Sequence, residues 1–336
     1  MHTGKSYRLL DFIDWTRRDV YLLTVLGVVP VLGYEVAGFK WLGIPWAVVL
    51  LLGTATAFIV GFKNLQTYNR AWEARQVWGE ILSLSRAWGL MSRDFFNDPA
   101  RSKELVYRHL AWLTALRYQM RMPRPWENAG KAHIREYQQF YYAVPERETP
   151  LEEALAAYLP QEELRQVLAA ANKPTQIMAR QSSAVRELFA AQAIVVLQFV
   201  DMQRLIKDLL LQQGRSERIK DFPYPRQFAT INALFVRLFC ILLPFGLLRE
   251  FDRLNELVDG PLQGSMTWLV IPFSMLVSWV YTSLDRVGES TENPFEGNAN
   301  DIPLAQICRT AEIDLRALLG ETDLPAPLEP KNEIVL

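Results

Sequence analysis

Histidine and cysteine are scarce in this chain, with three and two among 336 residues. His2, His109 and His133 show no metal-ligand spacing with one another or with Cys240 and Cys308. Two cysteines in such contexts do not form a disulfide framework. A glycine-rich phosphate loop, an HExxH pair and a nucleophile elbow are all missing. The sequence therefore predicts no enzyme, no metal and no cofactor. A net charge of -1 gives no basis for nucleic-acid binding. No segment alternates apolar and polar residues as a half-buried strand does, so the expected fold class is all-α. Residues 1–20 lack the basic, apolar and small-residue order of a cleavable signal peptide. Leu9, Leu10, Phe12, Ile13 and Trp15 suit a short amphipathic helix there.

What the chain does have is long uncharged runs near both ends, with charged sequence between them. Trp41 to Phe62 is twenty-two residues without one charge. Roughly 20 apolar residues of helix cross a bilayer core. The run then passes into polar, aromatic sequence with no breaker before Gly79, which predicts one helix that leaves the membrane and continues into water. Four membrane segments are expected, at about 21–38, 41–62, 229–248 and 260–284. Pro30 kinks the first, and Glu35 sits at its outer interface, since a carboxylate deep in lipid is costly. Arg237 interrupts the third. An intramembrane Arg marks a functional site by default, and the blander reading is a side chain that snorkels to the headgroups.

Residues 63–228 read as one large soluble helical region. Helices are expected at 102–120, 152–158 and 162–171, and a long one from Thr175 to Gln213 that stops at Gly214. Asn172-Lys173-Pro174 marks its start. A C-terminal segment, 285–336, carries a helix over 302–319 and then an extended or disordered tail. Basic residues collect at Arg17-Arg18, after Phe62, and at Arg215, Arg218, Lys220 and Arg226, whereas the loop after segment three is acidic. By the positive-inside rule, both termini and the large region are cytosolic.

Two stripes mark the second segment. Gly53, Ala57 and Gly61 recur every four residues, a spacing that lets membrane helices approach backbone to backbone. Thr54, Phe58 and Phe62 share the same spacing one position on, rotated by about 100°. Periodicity alone leaves lipid, a protein core or a pore open for that second face.

Three motifs then carry a resemblance over nearly the whole chain. Phe62-Lys63-Asn64 with Tyr68-Asn69-Arg70-Ala71-Trp72-Glu73-Ala74-Arg75 resembles the G-F-R-N, Y-x-R-W-W-E-x-R run of bestrophins, with Lys63 and Ala71 as departures. Glu217-Arg218-Ile219, Pro223, Pro225 and then Leu243-Pro244-Phe245-Gly246-Leu247 resemble the bacterial third-segment signature. Asn293-Pro294-Phe295 and Asn300-Asp301-Ile302-Pro303-Leu304 resemble the family's N-P-F loop and its bacterial continuation.

The resemblance implies a homopentameric ion channel in a bacterial inner membrane, passing small ions through a ring of identical chains. It implies that Thr54, Phe58 and Phe62 line a hydrophobic neck and that Ile177 forms a cytosolic aperture. Animal members bind calcium just after N-P-F. Glu296 and Asp301 offer few of the six to eight oxygens that calcium takes, so no calcium gating is expected. Some members conduct anions and others cations. The partly positive edges of aromatic rings tilt the reading slightly to anions. The alternative is a membrane-anchored scaffold that binds a partner without conducting.

Overall fold

The computed structural model describes residues 1–128, 130–259 and 263–336. Residues 260–262, which begin the fourth expected segment, and the side chains of Leu9, Leu10 and His133 lie outside the described part. The secondary structure is helical, with no strand among the described residues. The helices are α1 (Leu9–Glu35), α2 (Trp46–Asp94), α3 (Pro99–Arg121), α4 (Ala132–Tyr141), α5 (Pro145–Glu148), α6 (Leu151–Ala156), α7 (Gln161–Ala169), α8 (Lys173–Ala190), α9 (Val196–Asp221), α10 (Arg226–Leu254), α11 (Val270–Thr291) and α12 (Leu304–Leu318).

The chain divides into two compact units, Met1–Gly4, Arg70–Pro223 and Asn293–Leu336 in one, Lys5–Asn69 and Tyr224–Glu292 in the other. One division falls inside α2, which runs unbroken past Gly79.

In the second unit, α1, α10 and α11 pack on one another. Among the described residues, three stretches are long and apolar enough to cross a membrane, Lys40–Asp94, Arg226–Leu254 and Met266–Thr291. The expected surface helix at the start is not separate: residues 9–35 form one helix with Pro30 inside it. Polar pairs tie these apolar helices. Lys63 Nζ lies 2.7 Å from Asp285 Oδ1, and Asn232 donates to the same oxygen. Trp279 Nε1 donates to Thr16 at 2.9 Å, and Arg286 pairs with Asp19.

The first unit has its own core, built on α3. Trp78, Trp88 and Trp112 are fully buried with Leu105, Leu113 and Leu116. The local start signals are visible. Asp98 caps α3 by accepting the N–H groups of Ala100 and Arg101, ahead of Pro99. Asn172 caps α8 by accepting Thr175 N–H at 3.0 Å, and such caps satisfy the free donors of a first turn. Gly89 lets α12 come close, since a Cβ there would meet Leu315 Cδ2 at 2.4 Å. The expected long helix from Thr175 to Gln213 is two helices. The chain breaks at 191–195, where Gln192 takes φ 59°, and α9 then runs through Gly214 to Asp221. The tail after Gly320 is extended, and its last residues Ile334 and Leu336 are buried beside Tyr142 and Val144.

Candidate functional site

Thr54, Phe58 and Phe62 lie on one exposed face of α2, with Phe58 66% and Phe62 62% accessible in the single chain. The opposite face is closed. Val49, Thr56 and Val60 are buried, and residues two apart on a helix are rotated by about 200°. Thr54 Oγ1 donates to the Leu50 carbonyl at 2.9 Å, and its lone pairs remain free to accept. Two phenyl rings exposed on a helix this apolar form an unpartnered patch of the kind that marks an interaction surface, a lipid contact or a passage.

The small-residue stripe is divided. Gly53 is buried against α10 of its own chain, where a Cβ would lie 2.7 Å from Phe239 Cε2. Tyr281 donates to the Gly53 carbonyl at 3.1 Å. Ala57 is exposed, and nothing lies within 4 Å of a Cβ built on Gly61. Arg237 is exposed midway along α10, and among the described residues no carboxylate pairs with it.

Ile177 is placed differently from the expectation. It is fully buried in the core of the first unit with Met178 and Val185. A side chain sealed within its own chain cannot line a passage shared between chains, so that assignment is withdrawn. The exposed aliphatic cluster of this unit is Val195, Val196 and Leu197, at 62%, 57% and 74% accessibility. It opens α9, where Gln198 Oε1 accepts Val195 N–H at 2.9 Å and Gln198 Nε2 donates to the Phe95 carbonyl. The run Val195-Val196-Leu197 was a usable sequence signal only once the helix break at 191–195 was known.

The motif residues of the first unit are structural clamps. Arg70 donates to the carbonyls of Ile219 and Phe222 at the end of α9, and Arg218 pairs with Glu73. Phe295 takes φ 77° with its ring buried near Trp78. Asp301 holds this turn by accepting the N–H groups of Phe295, Gly297 and Ile302 at 2.9, 2.8 and 2.7 Å. Its Oδ2 also accepts Arg121 Nη1 at 2.6 Å. Glu296 accepts Asn128 N–H at 2.8 Å and the Asn298 amide.

Burial pushes the Glu296 carboxyl up to about 8, helped by the nearby Asp301 and Glu127. A protonated Glu296 fits its surroundings. Asn298 Oδ1 is buried without a hydrogen-bond partner, and turning that amide over lets it accept the Glu296 proton. The neighbouring Lys220 pairs with Glu127. Asp301 is thus engaged by backbone donors and Arg121, and Glu296 by the Asn128 N–H and the Asn298 amide. Among the described residues no group of three or more His, Cys, Asp or Glu is placed to hold a metal ion. Cys308 and His109 carry no chemistry here. Burial pushes the thiol up to about 12 and the imidazole down to about 3.

The likeness to known proteins covers both units. A voltage-dependent anion channel-forming protein of Escherichia coli K12 is 28% identical over 306 residues, covering 90% of this chain and 85% of that one. Its counterpart in Salmonella typhi is 26% identical over 318 residues, covering 94% and 90%. The crystal structure of a bacterial bestrophin homologue from Klebsiella pneumoniae shares the fold, with a TM-score of 0.74 at 24% identity over 90% of this chain and 97% of that one. Residues 15–317 match the family described as Bacterial/Fungal Bestrophin protein, and the chain belongs to that family.

Proposed function

We propose that this protein is a ring-forming ion channel, pentameric as the family resemblance implies, with Thr54, Phe58 and Phe62 at its neck. The observation that carries the reading is the pair of exposed phenyl rings on α2, opposite the face that α2 buries. One such helix encloses nothing, whereas a closed ring of identical helices encloses an axis. A ring of phenyl groups makes a constriction that gates by dewetting, because a small change in width fills or empties it. Ring edges turned inward favour anions, and the similar proteins of Escherichia coli and Salmonella typhi are named as anion channel formers.

In this reading α1 supplies a fourth crossing. Its exposed Tyr21, Val25, Val29 and Leu32 face lipid, and both termini are cytosolic in an inner membrane. The second constriction falls to Val195, Val196 and Leu197 in place of Ile177.

Native mass spectrometry in detergent and planar-bilayer recording test this together. A fivefold mass with a chloride-selective reversal potential supports it. A monomer, or an oligomer that passes no current, overturns it.

A further inference from the structure

Separate from the neck, the first unit contains a cavity of about 550 Å³ between the end of α3, residues 122–124, α5 and the first turn of α8. Four cations line it, Arg121, Arg124, Arg147 and Lys173, against the single carboxylate of Glu146. We propose that this cavity binds a small phosphate-bearing solute.

The electrostatics inside the chain leave the cavity short of negative charge. Arg121 is answered by Asp301 and Arg124 by Asp221, both at 2.6 Å. Arg147 has only neutral partners, Gln138 Oε1 at 2.6 Å and the Glu296 carbonyl at 2.8 Å. Lys173 reaches only the Ala170 carbonyl at 3.4 Å. The nearby Glu217 is turned to the amides of Gln119, Asn172 and Gln213. Among the described residues, two cations at the cavity therefore have no carboxylate of their own.

A second observation points to a missing ligand. Arg121 is almost wholly buried, yet its Nε donates no hydrogen bond, and Glu146 Oε2 stands off at 3.6 Å. Glu146 Oε1 lies 3.1 Å from Arg117 Nε, so the cavity's one carboxylate is shared between two guanidinium groups. Buried polar atoms are nearly always bonded, so such exceptions need a reason. An oxyanion in the cavity supplies negative charge beside a guanidinium group whose Nε has no close acceptor.

The shape selects the ligand class. Guanidinium groups present forked donors that match tetrahedral oxyanions. Known ligand pockets span about 300–1,000 Å³, so this cavity exceeds the need of a halide and leaves room for an organic body beside the phosphate. The positive end of α8, which begins at Lys173, adds to the attraction.

The test is calorimetric titration of the full-length protein in detergent with pyrophosphate and with a hexose monophosphate, at constant ionic strength set by sodium chloride. Saturable binding of one ligand per chain is expected. Lys173→Glu, at a half-buried surface position, is expected to weaken it about tenfold or more, the effect of losing one charge-assisted bond. Arg147→Lys keeps the charge but loses the fork, and a several-fold loss is expected. Arg101→Glu, about 30 Å away at the other end of α3, is expected to bind as wild type. Melting temperatures equal to wild type show that each variant is folded. No saturable heat from the wild type overturns the proposal. So does binding unchanged in folded Lys173→Glu and Arg147→Lys, or binding weakened equally by Arg101→Glu.

Discussion

Lys63 and Asp285 offer a quantitative test of what holds the apolar unit together. Their charged atoms are 2.7 Å apart, and their side chains are 6% and 23% accessible. At an effective dielectric near 20, their attraction is about 6 kcal/mol. Removing two ions from water costs several kcal/mol each, so the pair as a whole comes out near balance. The two single substitutions are then far from equivalent to the double. Lys63→Met leaves the Asp285 carboxylate with only the Asn232 amide and is expected to cost about 3–5 kcal/mol. Asp285→Asn strands the ammonium at a similar cost. Lys63→Met with Asp285→Asn together should recover about 1–3 kcal/mol of the summed losses. Thermal unfolding in detergent, followed by tryptophan fluorescence, should show each single variant lower by at least about 5 °C, with the double variant lowered by clearly less than the sum of the two. Strictly additive single effects would refute the coupling and with it the role assigned to this pair.

Other expectations follow from the first unit. The raised Glu296 value means that the folded state holds this proton between about pH 4.5 and 8 while the unfolded state releases it. Its contribution is present below that window and fades as pH rises through 8. The stability of Glu296→Gln minus that of wild type should therefore increase with pH across the window, by at most about 1.4 kcal/mol per unit. The difference cancels groups common to both proteins, such as the Met1 amino group, which burial lowers to about 5. Equal slopes for the two proteins in pH-resolved melts would contradict this. Gly89→Leu is expected to cost about 1–3 kcal/mol by overpacking against Leu315 and Leu318, read as a lowered melting temperature. Arg121→Met leaves Asp301 with three backbone donors but without its ion-pair partner, and limited proteolysis near residue 297 should accelerate.

Much of the helical layout was legible because its signals are local. The uncharged run of α2, the Asn172-Lys173-Pro174 start and the apolar spacing in α3 each lie within a single helix. The break between α8 and α9 had no such signal. Ala191-Gln192-Ala193 contains no glycine or proline, and the left-handed turn at Gln192 depends on the packing around it. Gly214 misled in the opposite sense, since a helix with buried neighbours Gln213 and Ser216 tolerates it. Ile177 shows the limit of a motif match. A matched position gives a place on a helix but not whether that side chain meets its own chain or another. The loop after Asn293 was recognised from its motif, but its partner Arg121 lies 180 residues away from Asp301, and only the folded chain brings them together. Thr54, Phe58 and Phe62 were singled out by spacing, and their role at an axis rests on the family resemblance.

The claim on which the functional reading depends is that Phe58 and Phe62 form the narrowest part of a conducting path. Chloride efflux from liposomes containing the purified protein, compared with the Phe58→Ala, Phe62→Ala double variant, measures this directly. The account predicts a folded double variant whose flux is clearly faster than that of wild type. Equal flux from both, or no flux from either, would contradict it.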